Sequence, residues 1–229
     1  MTTIKKVNLS DYEKQINLND NKIQWSTKSR NIIDNIGDML FQGSTPAQQD
    51  TINALITEKE ISGSPKVNYD GSGNAIVDDT HLDKDGYKKG KIYTINKEGI
   101  VVYKETFNEQ YFPEEDNATC IQTSYNSETG LPEEQIAYYP KKTVITKYDQ
   151  DGYKTKETYK DSGNNTYMEI FYRHKNDTKK LEKVEYLKDG TSKDIIYDEY
   201  ENEKEIIYRS PEGYNISKQE YEQKKEEYE

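Results

Sequence analysis

Thr143-Val144-Ile145-Thr146-Lys147-Tyr148-Asp149-Gln150-Asp151-Gly152-Tyr153-Lys154-Thr155-Lys156-Glu157-Thr158-Tyr159 decides the fold. It joins a run of strand formers, a polar turn closing on glycine, and a second run of strand formers. Gly152 offers the positive φ that tight hairpin turns require. The unit recurs in degenerate form along most of the chain. Residues 92–95 lead into Asn96-Lys97-Glu98-Gly99 and then 100–107; residues 120–125 lead into Asn126-Ser127-Glu128-Thr129-Gly130 and then 134–139. Tyr159-Lys160-Asp161-Ser162-Gly163 precedes 167–172, and 181–187 run into Lys188-Asp189-Gly190. Segments 194–200 and 205–208 follow, ending at Ser210-Pro211-Glu212-Gly213. An aromatic or aliphatic residue stands four or five positions before each turn glycine: Ile95, Tyr125, Tyr148, Tyr159, Tyr186 and Tyr208.

The strands do not sort into an inner and an outer face. In Tyr167-Met168-Glu169-Ile170-Phe171-Tyr172 both alternating sets carry apolar side chains, and Glu169 falls among them. Ile195-Ile196-Tyr197-Asp198-Glu199-Tyr200 mixes apolar and charged side chains on both sets. A half-buried strand alternates cleanly. Mixed faces predict a sheet that is partly one layer thick, covered by tyrosines and the hydrocarbon stems of Lys and Glu. Its two edges need protection, which Lys and Glu supply.

Composition agrees. Hydrophobic residues are 31% and charged residues 33% of 229, too little grease for a thick interior. Low hydrophobicity with net charge −11 leans towards disorder, but 21 tyrosines and repeated Ile, Val and Thr favour ordered strands. A single cysteine, Cys120, excludes an intramolecular disulfide framework. No apolar run approaches the roughly 20 residues of a membrane helix. Met1-Thr2-Thr3-Ile4-Lys5-Lys6-Val7 lacks the apolar stretch of a secretion signal, which makes a soluble cytoplasmic protein the expectation.

Residues 1–61 read as helical. Ser10-Asp11-Tyr12-Glu13 has capping-box spacing. A second segment opens near Ser26 or Ser29 and places Ile32, Ile33, Ile36, Met39 and Leu40 on one face. In the third, Thr45 caps, Pro46 follows, Gln48 completes the box, and Ile52, Leu55 and Ile56 form a stripe. The last two suggest a helical hairpin, with Trp25 as a packing anchor or a ligand-stacking ring. Residues 62–86, rich in Gly, Ser and Asp, read as a linker and domain boundary. The β-repeat then occupies 87–213, and 214–229 form a charged terminal helix capped at Ser217 with Glu220. The fold class is mainly β with helical ends (α+β), a repetitive antiparallel hairpin sheet.

Tyr148-Asp149-Gln150-Asp151-Gly152 resembles the Tyr-Asp-x-x-Gly core of the YD repeats of RHS-type proteins. The strand–(Asp/Glu)-x-Gly–strand rhythm over about residues 87–213 is similar to the MORN-variant repeats of bacterial antitoxin and immunity-type proteins. Only the central unit keeps the full YD motif, and the Trp and extra Gly common in MORN units are missing. The resemblance implies repetitive hairpins and a binding role, and carries over no catalytic residue.

Little in the sequence points to chemistry. Of the two histidines, His81 and His174, His174 sits among cations in Tyr172-Arg173-His174-Lys175-Asn176 with no nearby second metal ligand and reads as a solvated loop histidine, and a Cys120–His174 nucleophile pair is selected by nothing nearby. Asp83-Lys84-Asp85-Gly86 resembles a fragment of a calcium loop but lacks the remaining ligands; an Asp-Gly turn explains it. Gly71-Ser72-Gly73 lacks the helix and Lys-Ser/Thr pair of a phosphate loop. The expectation is no cofactor, no metal and no catalytic residue.

What remains is acid interleaved with aromatics: Tyr111, Phe112, Glu114, Glu115 and Asp116, and Tyr197, Asp198, Glu199 and Tyr200. Aromatic residues at the centre of a contact with charges at its rim make a recognition surface. The competing reading is a solvated, aggregation-resistant surface. The 43 Asp and Glu against 32 Lys and Arg argue against direct nucleic-acid binding, and allow attachment to a basic, nucleic-acid-binding protein surface. The expectation is a non-enzymatic binding protein that blocks a macromolecular partner. An immunity or antitoxin-like protein fits, as does a phage-encoded anti-CRISPR or other anti-defence inhibitor. The alternatives are a structural or cell-surface β-repeat module and an enzyme of unrecognised type.

Overall fold

The computed structural model describes residues 43–107, 118–173 and 179–228. They fall into two compact units, one holding 43–107 with 122–132, the other 118–121 with 133–228. The described residues are mainly antiparallel β, with thirteen strands and a helix towards each end. Among them no helix is long and apolar enough to cross a membrane. The two expected helices before residue 43, with Ser10, Glu13, Trp25 and the stripe from Ile32 to Leu40, lie outside the described residues.

The first unit opens with α1 (Pro46–Thr57). Its expected capping box is present: the Gln48 N–H donates to Thr45 Oγ1 at 3.2 Å, and the Thr45 N–H donates to Gln48 Oε1 at 2.9 Å. Strands β1 (Lys66–Tyr69), β2 (Ala75–Leu82), β3 (Lys88–Ile95) and β4 (Val101–Phe107) pair antiparallel in chain order. β5 (Cys120–Tyr125) follows, with 122–125 in this unit. Here the sheet has a second layer. Ile52 and Leu55 of α1, with Ile61, bury against Ala75, Val77, Tyr93, Ile95 and Val101. The register pairs Ala75 with Ile95 and Val77 with Tyr93, so one alternating set forms the floor under the helix. Gln48 is wholly buried, and its Nε2 donates to Gly73 O and Ile95 O at 3.1 Å each. The Thr51 hydroxyl donates to Gly99 O at 2.6 Å. Gly99 has φ 79°, and a Cβ there would lie 2.6 Å from the Ala47 carbonyl oxygen, so the helix and the β3–β4 turn approach only because this residue is Gly.

The segment 62–86, expected to be a linker, is corrected by this unit: it carries β1 and β2. Its polar letters conceal a strand because only Ala75 and Val77 lie beneath the helix, whereas Asp78 to Leu82 extend past the buried floor. Asp79 also accepts the Ser62 N–H at 2.8 Å. The strand expected at residue 92 starts at Lys88.

The second unit is a meander of β6 (Pro132–Tyr138), β7 (Lys142–Tyr148), β8 (Lys154–Asp161), β9 (Thr166–Tyr172), β10 (Lys180–Tyr186), β11 (Ser192–Tyr197), β12 (Glu203–Arg209) and β13 (Asn215–Ile216). Its buried apolar strand residues are few: Ala137, Val144, Ile170 and Ile195 share one face of the register, and Val184 lies on the other. Cation–aromatic contacts cover much of the rest, with Lys154 Nζ 4.7 Å from the Tyr172 ring centroid and Lys156 Nζ 4.9 Å from that of Phe171. Helix α2 (Lys218–Tyr228) begins where expected, the Glu220 N–H donating to Ser217 Oγ at 3.2 Å. Tyr221 is its buried anchor, 5.0 Å from the Tyr208 ring, and Lys224 pairs with Asp189 at 3.0 Å.

One turn geometry recurs in both units. The first residue donates its N–H to the carbonyl of the fifth, and the fourth donates back to the first, as at Asp149, Gly152 and Tyr153. The first side chain then accepts the amides of the third and fifth: Asp149 Oδ1 takes Asp151 N–H at 3.0 Å and Tyr153 N–H at 2.9 Å. The fourth residue is left-handed, with φ 81° at Gly152. In the turn Asp161–Asn165 that residue is Asn164, φ 66°, and not Gly163, which stands one position early. In Asp198–Asn202 it is Glu201, φ 64°, and no glycine is present.

Candidate interaction surface

Three carboxylates gather the polar chemistry of the two units. In the first, Glu60 Oε2 accepts from Lys91 Nζ at 2.7 Å, Tyr93 Oη at 2.9 Å and Lys104 Nζ at 3.4 Å. The Lys91 bond above all holds the Glu60 carboxyl down to about 2. In the second, Glu157 accepts from Tyr172 Oη at 2.6 Å, Lys154 Nζ at 2.7 Å and Tyr159 Oη at 2.9 Å. Burial opposes its ionisation, yet these donors hold its carboxyl below the ordinary range. Glu169 accepts from Lys156, Thr158 and Tyr186. Burial, with Glu169 beside it, pushes the Tyr186 hydroxyl up to about 12. A carboxylate held ionised by three donors is a poor proton acceptor, and a phenol so raised is a poor nucleophile. These clusters bind the sheet together.

Cys120 opens β5, half-buried and outside any disulfide. His81 is exposed on β2, and His174 lies outside the described residues. Asp83 Oδ1 accepts the Asp85 and Tyr87 amides at 2.9 Å each, the turn expected in place of a calcium loop. Among the described residues no group of three or more His, Cys, Asp or Glu could hold a metal ion.

Of the two acidic aromatic stretches, Tyr111, Phe112, Glu114, Glu115 and Asp116 lie outside the described residues. The other occupies the β11–β12 turn. Tyr197 ends β11 half-buried, its carbonyl accepting Arg173 Nη2 at 2.8 Å. Asp198 is the keystone of the turn: Oδ1 accepts the Tyr200 N–H at 2.8 Å and the Asn202 N–H at 2.9 Å. Those bonds, that of the Asn202 side chain foremost, hold its carboxyl below the ordinary range. Its oxygens are therefore occupied within the chain.

Glu199 and Tyr200 point to solvent, Tyr200 being 75% exposed. Every residue from 199 to 206 is exposed, a run of four glutamates, one lysine, Tyr200, Asn202 and Ile206. The Glu201 carboxylate accepts the Lys180 N–H at 3.2 Å, while none of the ion pairs among the described residues engages Glu199, Glu203 or Glu205. Sequence alone marks Glu205 and Ile206 as the start of a strand, outside the acidic aromatic cluster. The readable signal was Asp198 with Asn202 four positions on, repeating Asp161 with Asn165 and marking where the turn ends and an edge-proximal strand begins.

No protein-family model matches the chain, and no curated protein matches it.

Proposed function

We propose that the chain is a non-enzymatic acidic binding protein that docks on and blocks a macromolecular partner with a basic, nucleic-acid-binding surface. The observation that carries this reading is the exposed run 199–206, where unpaired glutamates surround Tyr200 and Ile206 on a turn fixed by Asp198. Aromatic and aliphatic area supplies contact energy, and the surrounding charge selects and steers a cationic partner. The likeness of the turns to repeats of antitoxin and immunity-type proteins points the same way. An immunity-like protein and a phage-encoded anti-defence inhibitor such as an anti-CRISPR are both roles of this kind.

The test is affinity capture from lysate on the immobilised chain, beside a Glu199→Lys/Glu203→Lys/Glu205→Lys chain, with bound proteins eluted by a salt step and identified by mass spectrometry. A basic protein retained by the first and lost from the second supports the reading. Identical retention by both chains overturns the acidic-surface reading.

A further inference from the structure

We infer that the outer edge of β12 takes up an extended basic segment of the partner, which adds to the second unit as a strand. The inference rests on the proposed binding role and specifies how the contact is made.

The backbone carries the argument. β13 is two residues long and pairs only with Tyr208 and Arg209 of β12. In the turn between them the Ser210 N–H donates to Tyr214 O at 2.8 Å. Antiparallel pairs alternate between those that exchange hydrogen bonds and those that do not. Tyr208, opposite Ile216, therefore turns its N–H and C=O towards β13, and Ile206 turns its own the same way. On its inner side Ile206 faces Ile195 as a pair that exchanges no hydrogen bonds. After Ile216 the chain turns at Ser217 into α2, so among the described residues no strand continues beside Ile206. Glu203 to Ile206 are all exposed. Unpaired backbone at an edge is a template for strand addition.

Side-chain pattern selects the occupant. The register runs Glu182, Ile196, Glu205 across β10, β11 and β12 on one face, and Lys183, Ile195, Ile206 on the other. An arriving strand sets one side chain beside Glu205 and the next beside Ile206. A cation opposite Glu205 and a β-branched residue opposite Ile206 complete both rows. A second copy of this edge would bring glutamates against glutamates, a like-charge cost that selects against self-pairing. The occupant is an alternating basic and apolar segment.

The probes are two synthetic peptides of equal length, one alternating Lys and Val, the other Glu and Val. They are titrated into the full chain with hydrogen exchange read at the Ile206 amide. The Lys peptide is expected to bind and protect that amide, and the Glu peptide to do neither. Ile206→Pro removes the outward N–H while sparing the β11 ladder, and should weaken the Lys peptide about tenfold. Protection of Ile206 in the unaltered chain is decisive even if that variant does not fold. Three results overturn the inference: no binding of the Lys peptide, binding without protection of Ile206, or concentration-dependent protection by the chain alone, which would make a second copy the occupant. Binding without protection leaves the acidic docking role intact. Loss of lysate capture with peptide binding retained would overturn the role and spare the edge chemistry.

Discussion

Glu60→Gln in the first unit tests whether a carboxylate stands in for the missing apolar core. Glu60 follows α1 and receives Lys91 and Lys104 together with the hydroxyl of the wholly buried Tyr93. Its carboxyl falls from an ordinary 4.5 to about 2 when folded. Fully realised, that depression corresponds to about 3 kcal/mol. The side chain is 34% exposed, and solvent screening reduces the expected loss to about 1–2 kcal/mol at pH 7. Because the folded value lies below the unfolded one, the contribution is complete above the unfolded value of 4.5 and fades as pH falls towards about 2. Gln keeps an acceptor for Tyr93, so the variant isolates charge from hydrogen bonding. Urea unfolding followed by far-UV circular dichroism measures the difference, and hydrogen exchange at the Tyr93 and Ile95 amides assigns it to this unit. A variant as stable as the parent at pH 7, or a deficit undiminished near pH 2, refutes the reasoning.

Three further outcomes follow, one from a strand glycine, one from a turn and one from a helix cap. Gly90→Ala places a Cβ 2.2 Å from the Asp79 carbonyl oxygen at φ 99°, and should cost about 3 kcal/mol or more in urea unfolding. Asp198→Ala strips the acceptor from two amides of the β11–β12 turn and should cost about 1–2 kcal/mol, whereas Glu199→Ala should change thermal stability by less than about 0.5 kcal/mol. Equal effects of the two would contradict the keystone role. Thr45→Ala removes the capping oxygen of α1 and should cost about 1 kcal/mol by urea unfolding.

The repeating turns were legible because they are local. Gly86, Gly99, Gly130, Gly152, Gly190 and Gly213 take the left-handed φ their turns require, which glycine adopts without a Cβ penalty. The caps at Thr45 and Ser217 were legible for the same reason: a hydroxyl and its amide lie three residues apart. Asn164 and Glu201 escape a reading keyed to glycine, since an Asp–Asn pair four positions apart, and not a glycine, sets the register that puts them at positive φ.

Of the candidate surface, the sequence offered the acid and the tyrosines but not their division of labour. Asp198 and Glu199 are neighbours of one charge, and only hydrogen-bond geometry makes the first a brace and leaves the side chain of the second exposed to solvent. Strand pairing likewise decided that Ile206 lies beside a β13 too short to cover it.

The sequence by itself determined an antiparallel hairpin protein with capped helices, because turn and cap chemistry acts over three to five residues. Only the tertiary structure decided that 66–69 and 75–82 are strands, that α1 gives the first unit a second layer, and that lysines and tyrosines converge on Glu60 and Glu157. Those outcomes depend on which strands lie side by side: the partners of Glu60 stand 31 to 44 positions away and Tyr172 stands 15 from Glu157, and pairing across such distances leaves no local signature.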